Sequence, residues 1–205
     1  MNMLKSLLWD RWGTAEYPAE WDGQHYGGGR GSQRFWEYLW VIDQLSGHER
    51  HVIDVGAGPN LFLPKLLGEA FPRVEAVDPE LRVRDARHHP CDLRGWVDRY
   101  PSEVSRVDCV TCVSVVEHVQ DPGMIFTDLA RFVNAKLIVT LELGFDPPGF
   151  EYQLTLRKLY AGLKCFESHY LSRMETCPVW ADNSKGGYWK PFGMVLLPKS
   201  ALAAK

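Results

Sequence analysis

The chain has 205 residues, of which 45% are hydrophobic and 24% charged, and its formal net charge is −3. A folded monomer of this size hides roughly 70% of the surface of its extended chain, enough for one substantial core and not for two independent ones. This composition excludes disordered, collagen-like and membrane-embedded classes, and the slight acidity gives no general attraction to a phosphate backbone, so nucleic acid is disfavoured as a partner.

The first 32 or so residues are rich in Trp, Tyr and Gly, show no sustained period and end in YGGGRG. Those glycines open conformations closed to other residues, so the segment reads as a wrapping arm. From Gln33 to Leu45, Phe35, Trp36, Leu39, Trp40 and Ile42 fall on one helical stripe, with Ser32 as N-cap and Gly47 as stop. Residues 1–48 are therefore expected to be an arm and helix lying over a single compact unit formed by 49–205.

That unit alternates short apolar runs with helical or irregular segments. HVIDV at 51–55, LFLPKLLGEAF and VEAVD at 74–78 give strand, helix, strand, the pattern of a parallel sheet. A weaker third strand is expected near His89 to Leu93, then a fourth within VDCVTCVSV at 107–115, a helix over about 123–133, and a fifth strand in KLIVTLEL at 136–143. The last third holds a helix from Phe150 to Gly162, the loop ADNSKGG and a final apolar run, FGMVLLPK, that closes a terminal hairpin. The expected fold is α/β: an open twisted sheet, mostly parallel, with an antiparallel C-terminal hairpin strand and helices on both faces.

The five cysteines, Cys91, Cys109, Cys112, Cys165 and Cys177, are odd in number and irregular in spacing, which points to a reducing compartment. The apolar run Leu7 to Trp9 is interrupted by Asp10 and Arg11 and is too short for a signal-peptide core; no stretch approaches the roughly eighteen apolar residues of a membrane span. A cytoplasmic protein with no membrane association is expected. Cys109 and Cys112 have the spacing of a zinc or redox pair, but on a buried strand residues three apart face opposite sides, so they read as core. His88 and His89 lie in a polar stretch without a paired ligand motif and read as loop.

The strongest local signal is VIDVGAGPN at 52–60, where a buried strand ends in an acid and two glycines before a helix begins. In the dinucleotide fingerprint G-x-G-x-x-G the first glycine permits the tight turn, the second the close approach of a ligand and the third helix packing on the strand. Here Leu61 stands at the third glycine, so a pyrophosphate seat is disfavoured. A second acid, Asp78, ends the next strand, where a carboxylate can accept from both hydroxyls of a ribose. The pair indicates an adenosine-type ligand.

The series VIDVGAGPN, VEAVDPE, CDL and DCVTCVSVVEHVQDP, ending in FGMVLLPK, resembles the class I S-adenosylmethionine-dependent methyltransferases over about residues 49–198. The resemblance implies a Rossmann-like domain with S-adenosylmethionine as cofactor, and methyl transfer to a small-molecule or glycan-precursor acceptor. It places Asp54, Gly56, Ala57, Gly58 and Asn60 at the methionine portion, Asp78 and Pro79 at the ribose, Asp92 and Leu93 beside the adenine, and Ser114 and Val115 along the cleft. Asn60 departs from the family's third glycine. For Asp92 a loop-capping role is the alternative.

Methyl transfer from a sulfonium demands that the acceptor be held behind the methyl with water excluded. Where the acceptor is a hydroxyl or an ammonium, a base must also take a proton, and His118 stands after the fourth strand at the edge facing the crevice. It reads as proton acceptor, as cleft lining, or as a brace with Glu117. Tyr26, Glu117, Glu142 and Asp146 are the substrate-facing candidates, with Tyr26 and the glycines beside it as a lid. The E-x-x-E-H metal-binding segment of small-RNA terminal methyltransferases is matched here with Ser114 at its first position, which removes one carboxylate, so no metal site is expected. An RNA or protein acceptor, a nicotinamide-dependent oxidoreductase and a non-catalytic cofactor-binding module are the competing functions.

Overall fold

The computed structural model describes residues 2–12, 33–143, 162–164, 166–173 and 190–198. Seven strands form one sheet in the order β3-β2-β1-β4-β5-β7-β6. They are β1 (His51–Val55), β2 (Arg73–Val77), β3 (His88–His89), β4 (Cys109–Val113), β5 (Lys136–Leu143), β6 (Phe166–Arg173) and β7 (Lys190–Pro198). The first five pair in parallel, while β7 lies between β5 and β6 and runs antiparallel to both. The expected open, mostly parallel sheet with an antiparallel C-terminal pair is what forms.

All five residues of β1 and of β4 are buried, which is why both are mainly apolar on both faces rather than alternating. Helices cover both faces. On one, α4 (Leu93–Arg99) and α6 (Pro122–Leu129) bring Trp96, Val97, Phe126 and Leu129 onto Ile53, Val55, Val110 and Cys112. On the other, α1 (Asn2–Trp12), α2 (Gln33–Gln44) and α3 (Phe62–Leu67) pack Leu4, Leu8, Phe35, Ile42, Leu63 and Leu66 onto Val52, Cys109 and Ile138. Cys109 and Cys112 thus face opposite cores, and burial raises both thiols above their ordinary range. Among the described residues no helix is long and apolar enough to cross a membrane.

Three elements differ from expectation. Residues 2–12 form α1 rather than an aperiodic arm: Leu4 and Leu8, four apart, are both fully buried, and Lys5 pairs with Asp43 on α2. The third strand is two residues long and stops before Pro90, so Asp92 and Leu93 lie beyond it, as N-cap and first residue of α4. After α4 comes α5 (Pro101–Val104), which Pro101 starts at its first turn. The expected helix from Phe150 to Gly162, the arm from 13 to 32 and the ADNSKGG loop fall almost entirely outside the described residues.

α2 does more than lie on the core. A Cβ on Gly193 of β7 would fall 2.4 Å from the Trp40 ring, so the absence of a side chain at Gly193 lets α2 pack directly across the end strands.

Candidate functional site

From β1 the chain moves outward to β2 and β3, then returns to place β4 on the opposite side. Ligands of open α/β sheets bind at such a reversal, outside the carboxyl ends of the strands. Here the turn after β1 is built by two left-handed glycines, Gly56 at φ 71° and Gly58 at φ 67°. Gly56 N donates to Val77 O (2.8 Å), and a Cβ there would lie 2.1 Å from Val115 Cγ2. Gly56 is thus required twice, by conformation and by space. A Cβ on Gly58 would meet nothing within 4 Å, so its outer face opens into the cleft. Its N–H donates to Asp78 Oδ2 (2.9 Å), and Asp78 Oδ1 accepts from Glu80 N (2.7 Å). Asp78 therefore fixes the glycine turn from the neighbouring strand.

The cleft is open to solvent, and the space within it comes to about 540 Å³ with its mouth included. Asp54 and residues 56–60 form one side, Val113 and Ser114 a second, and Arg34, Tyr38 and Phe62 a third. The Tyr38 and Phe62 rings stack with centroids 5.6 Å apart. Asp54 is 3% exposed and accepts from Thr111 Oγ1 (2.6 Å). Burial pushes its carboxyl up to about 7, with Thr111 and Arg34 opposing and Asp78 adding to the rise.

The opposite wall is tied together by α2. Ser114, at φ 49°, donates from N to Thr140 O (3.0 Å) and from Oγ to Glu37 Oε1 (2.5 Å). Thr140 Oγ1 donates to the same oxygen (3.0 Å), and Arg34 Nη1 lies 3.1 Å from Glu37 Oε2 while donating to Val113 O (3.0 Å). Beyond Ser114 a turn of 3-10 helix spans Val116–His118. Glu117 is buried in it and His118 reaches solvent. Partial burial first, and then the Arg34 charge, hold the His118 imidazole below its ordinary value, with Glu37 opposing.

Of the residues singled out in the sequence, Asp54, Gly56, Ala57, Gly58, Asn60 and Ser114 line this one cleft. Asp78 is not in the lining but accepts from Gly58 N of its turn, and Val115 packs on Gly56. Pro79, Asp92, Leu93 and His118 are not part of its lining. Asp92 caps α4, accepting from Gly95 N (2.7 Å), and Leu93 is buried in the core. Glu142 lies in β5 opposite Pro191, its side chain outside the described residues, as are Tyr26 and Asp146 altogether. Sequence reasoning missed Arg34, Glu37, Tyr38 and Phe62. Their signal was a charged i,i+3 pair, Arg34 and Glu37, set within an otherwise apolar helical stripe. Among the described residues no three His, Cys, Asp or Glu side chains converge as a metal would require.

A family profile described as "Methyltransferase domain" matches residues 31–178. Among solved structures, an S-adenosylmethionine-dependent methyltransferase from Archaeoglobus fulgidus aligns with a TM-score of 0.57 at 15% identity, over 85% of this chain and 97% of that one. A geranyl diphosphate methyltransferase in complex with SAM gives 0.56 at 12%, over 79% and 84%. Haemonchus contortus phosphoethanolamine N-methyltransferase 2, in complex with S-adenosyl-L-methionine, gives 0.54 at 14%, over 80% of this chain and 52% of that one, so the chain spans about half of the nematode enzyme. At these identities the likeness is one of fold. Among curated protein sequences there is no match.

Proposed function

The chain belongs to the methyltransferase-domain family, and on that premise we propose that it binds S-adenosylmethionine in the cleft between β1 and β4. We propose further that it directs the methyl group by in-line displacement to a small-molecule or sugar-containing acceptor. The observation that carries the reading is Asp54: a desolvated carboxyl beside two left-handed glycines, in a cleft that also offers the cation Arg34. Such a floor suits a ligand that carries both an ammonium, for Asp54, and a carboxylate, for Arg34.

The residues present fit that group. Asp54 and the 56–60 turn would hold its amino-acid end. Each Asp78 oxygen takes one backbone N–H and keeps lone pairs for ribose hydroxyls. Asp92 and Leu93, at the start of α4, would border the adenine, with Pro79 beside Asp78. When bound, S-adenosylmethionine supplies a sulfonium-activated methyl group. The chain's own part is to position the acceptor and exclude water. His118 would take the acceptor's proton, because an imidazole held below its ordinary value is neutral at pH 7 and can act as a base. Tyr26, Glu117, Glu142 and Asp146 are the proposed acceptor-facing residues.

A small acceptor is supported by the chain's slight acidity. Two of the compared structures are also named for small compounds, geranyl diphosphate and phosphoethanolamine. The free thiols Cys91, Cys109 and Cys112 support a reducing, cytoplasmic setting. Calorimetry with S-adenosylhomocysteine and with NAD tests the cofactor: binding of the first alone supports the reading, and binding of NAD alone sinks it. Incubation with labelled methyl donor and cell extract, followed by mass identification of what gains a CH₂ unit, then tests the acceptor class.

A further inference from the structure

We propose that Glu37 is a positioning residue for this site, a carboxylate on α2 that binds the helix to the carboxyl ends of β4 and β5 and so holds Arg34, Tyr38 and Ser114 in the cleft walls. The proposal rests on the cofactor reading above and adds to it a residue outside the glycine turn.

Glu37 is 1% exposed, on a helix whose other inward residues, Phe35, Val41 and Ile42, are apolar. A buried carboxylate is tolerated only where its charge and lone pairs are matched. Here Oε1 accepts from Ser114 Oγ and Thr140 Oγ1, and Oε2 faces the Arg34 guanidinium. The two hydroxyls come from 77 and 103 residues away, so the carboxylate joins three elements that the sequence keeps far apart.

Each partner is a cleft residue or touches one. Arg34 is held from both sides, by Glu37 and by Val113 O, which leaves its guanidinium little freedom in the cleft wall. Tyr38 follows Glu37 directly and stacks on Phe62. Ser114 has a left-handed backbone that a serine seldom adopts unaided, and it is the residue from which β4 turns toward Glu117 and His118. Its side chain ends on Glu37 and its N–H on Thr140. Anchorage of α2 alone could be served by another apolar side chain; the charged network instead gathers where three cleft walls meet.

Glu49 provides the comparison. It too is buried, accepts from Ser46 N and Gly47 N and pairs with Lys136, but it stands before β1, at the opposite end of the sheet from the cleft. The experiment measures S-adenosylhomocysteine affinity by calorimetry for the wild type, E37Q and E49Q, with urea stability for each, and follows the His118 imidazole by NMR titration without cofactor. E37Q is expected to lose about tenfold in affinity while E49Q, comparably destabilised, keeps wild-type affinity. In E37Q the His118 titration should move down, since Arg34 is then unopposed. Wild-type affinity in E37Q, or an equal loss in E49Q, overturns the proposal. If the wild type binds no S-adenosylhomocysteine, the cofactor reading fails, and NMR without cofactor still decides: Val113 and Ser114 backbone amides that keep their wild-type shifts in E37Q remove the positioning role. Should E37Q not fold, E37D keeps the charge with a shorter reach, and wild-type affinity in that variant is the overturning result.

Discussion

Asp54 sits at the floor of the cleft with its carboxyl pushed from 3.8 to about 7, chiefly by burial. Its folded value lies above its unfolded one, so its contribution to stability is fully present below 3.8 and is lost as pH rises toward 7. The loss is on the order of a few kcal/mol, about 1.4 per pH unit in that window. Urea unfolding between pH 5 and pH 8 should therefore show the wild type losing stability relative to Asp54→Asn; parallel curves would reject the assignment. At His118 the imidazole lies below its ordinary 6.5. The acid limb of turnover against pH is thus expected below 6.5, and His118→Ala should lower turnover more than cofactor affinity. Equal losses in both would make His118 a brace rather than a base. The turn at 56–60 could be read from the sequence because two glycines and an acid announce it locally. Arg34 and Glu37 left only the sign of a charged pair in an apolar helix, since their roles depend on Val113, Ser114 and Thr140, which only the folded sheet brings near.

Between β1, β2 and β3 lies a polar island in the core that no motif announced. Glu75 receives His89 Nε2 (2.8 Å), lies 2.9 Å from His51 Nε2, and is closed off from solvent by Arg73. Burial alone would raise its carboxyl, but His51 and Arg73 draw it down to about 2. Its folded value is depressed, so the stabilisation is present above 4.5 and is lost as pH falls from there toward 2. Glu75→Gln leaves two buried imidazoles and Arg73 without their carboxylate, and should cost about 3 kcal/mol or more at neutral pH. The variant's stability should also flatten below pH 4.5, and an acid limb as steep as the wild type's would show that Glu75 is not its source. The element scale is where the sequence misled most. His89 reads as loop, yet it is buried and joins β3 to this cluster with Trp96 and Tyr100 packed around it. In α4 only Leu93, Trp96 and Val97 carry the helical period, Gly95 interrupts it from within and Pro101 follows just beyond its end. β1, β2, β4 and β5 were legible because burial on both faces leaves runs that are mainly apolar, a signal that a two-residue strand such as β3 cannot give.

Among the described residues two large cores, one on each face of a single sheet, join the first helix to the strands. Leu8 shows this best. An unstructured arm would tolerate its truncation, whereas in the fold Leu8 is 0% exposed and packs with α2 and α3 against the face that holds Val52 and Ile138. Leu8→Ala should therefore cost about 2–5 kcal/mol, the usual range for a buried leucine whose surroundings collapse only in part. For a chain of this size that is roughly 4–20 °C in Tm, taking about 2–4 °C per kcal/mol. The loss should appear as one shifted transition rather than an added early one, because α1 shares its core with β1 and β4. S-adenosylhomocysteine affinity should be nearly unchanged in the same variant, since the cleft face of α2 is held by the Glu37 network and not by α1. Wild-type stability in Leu8→Ala would return residues 2–12 to the status of an arm; a large loss of affinity with it would mean that α1, and not Glu37, sets the position of α2.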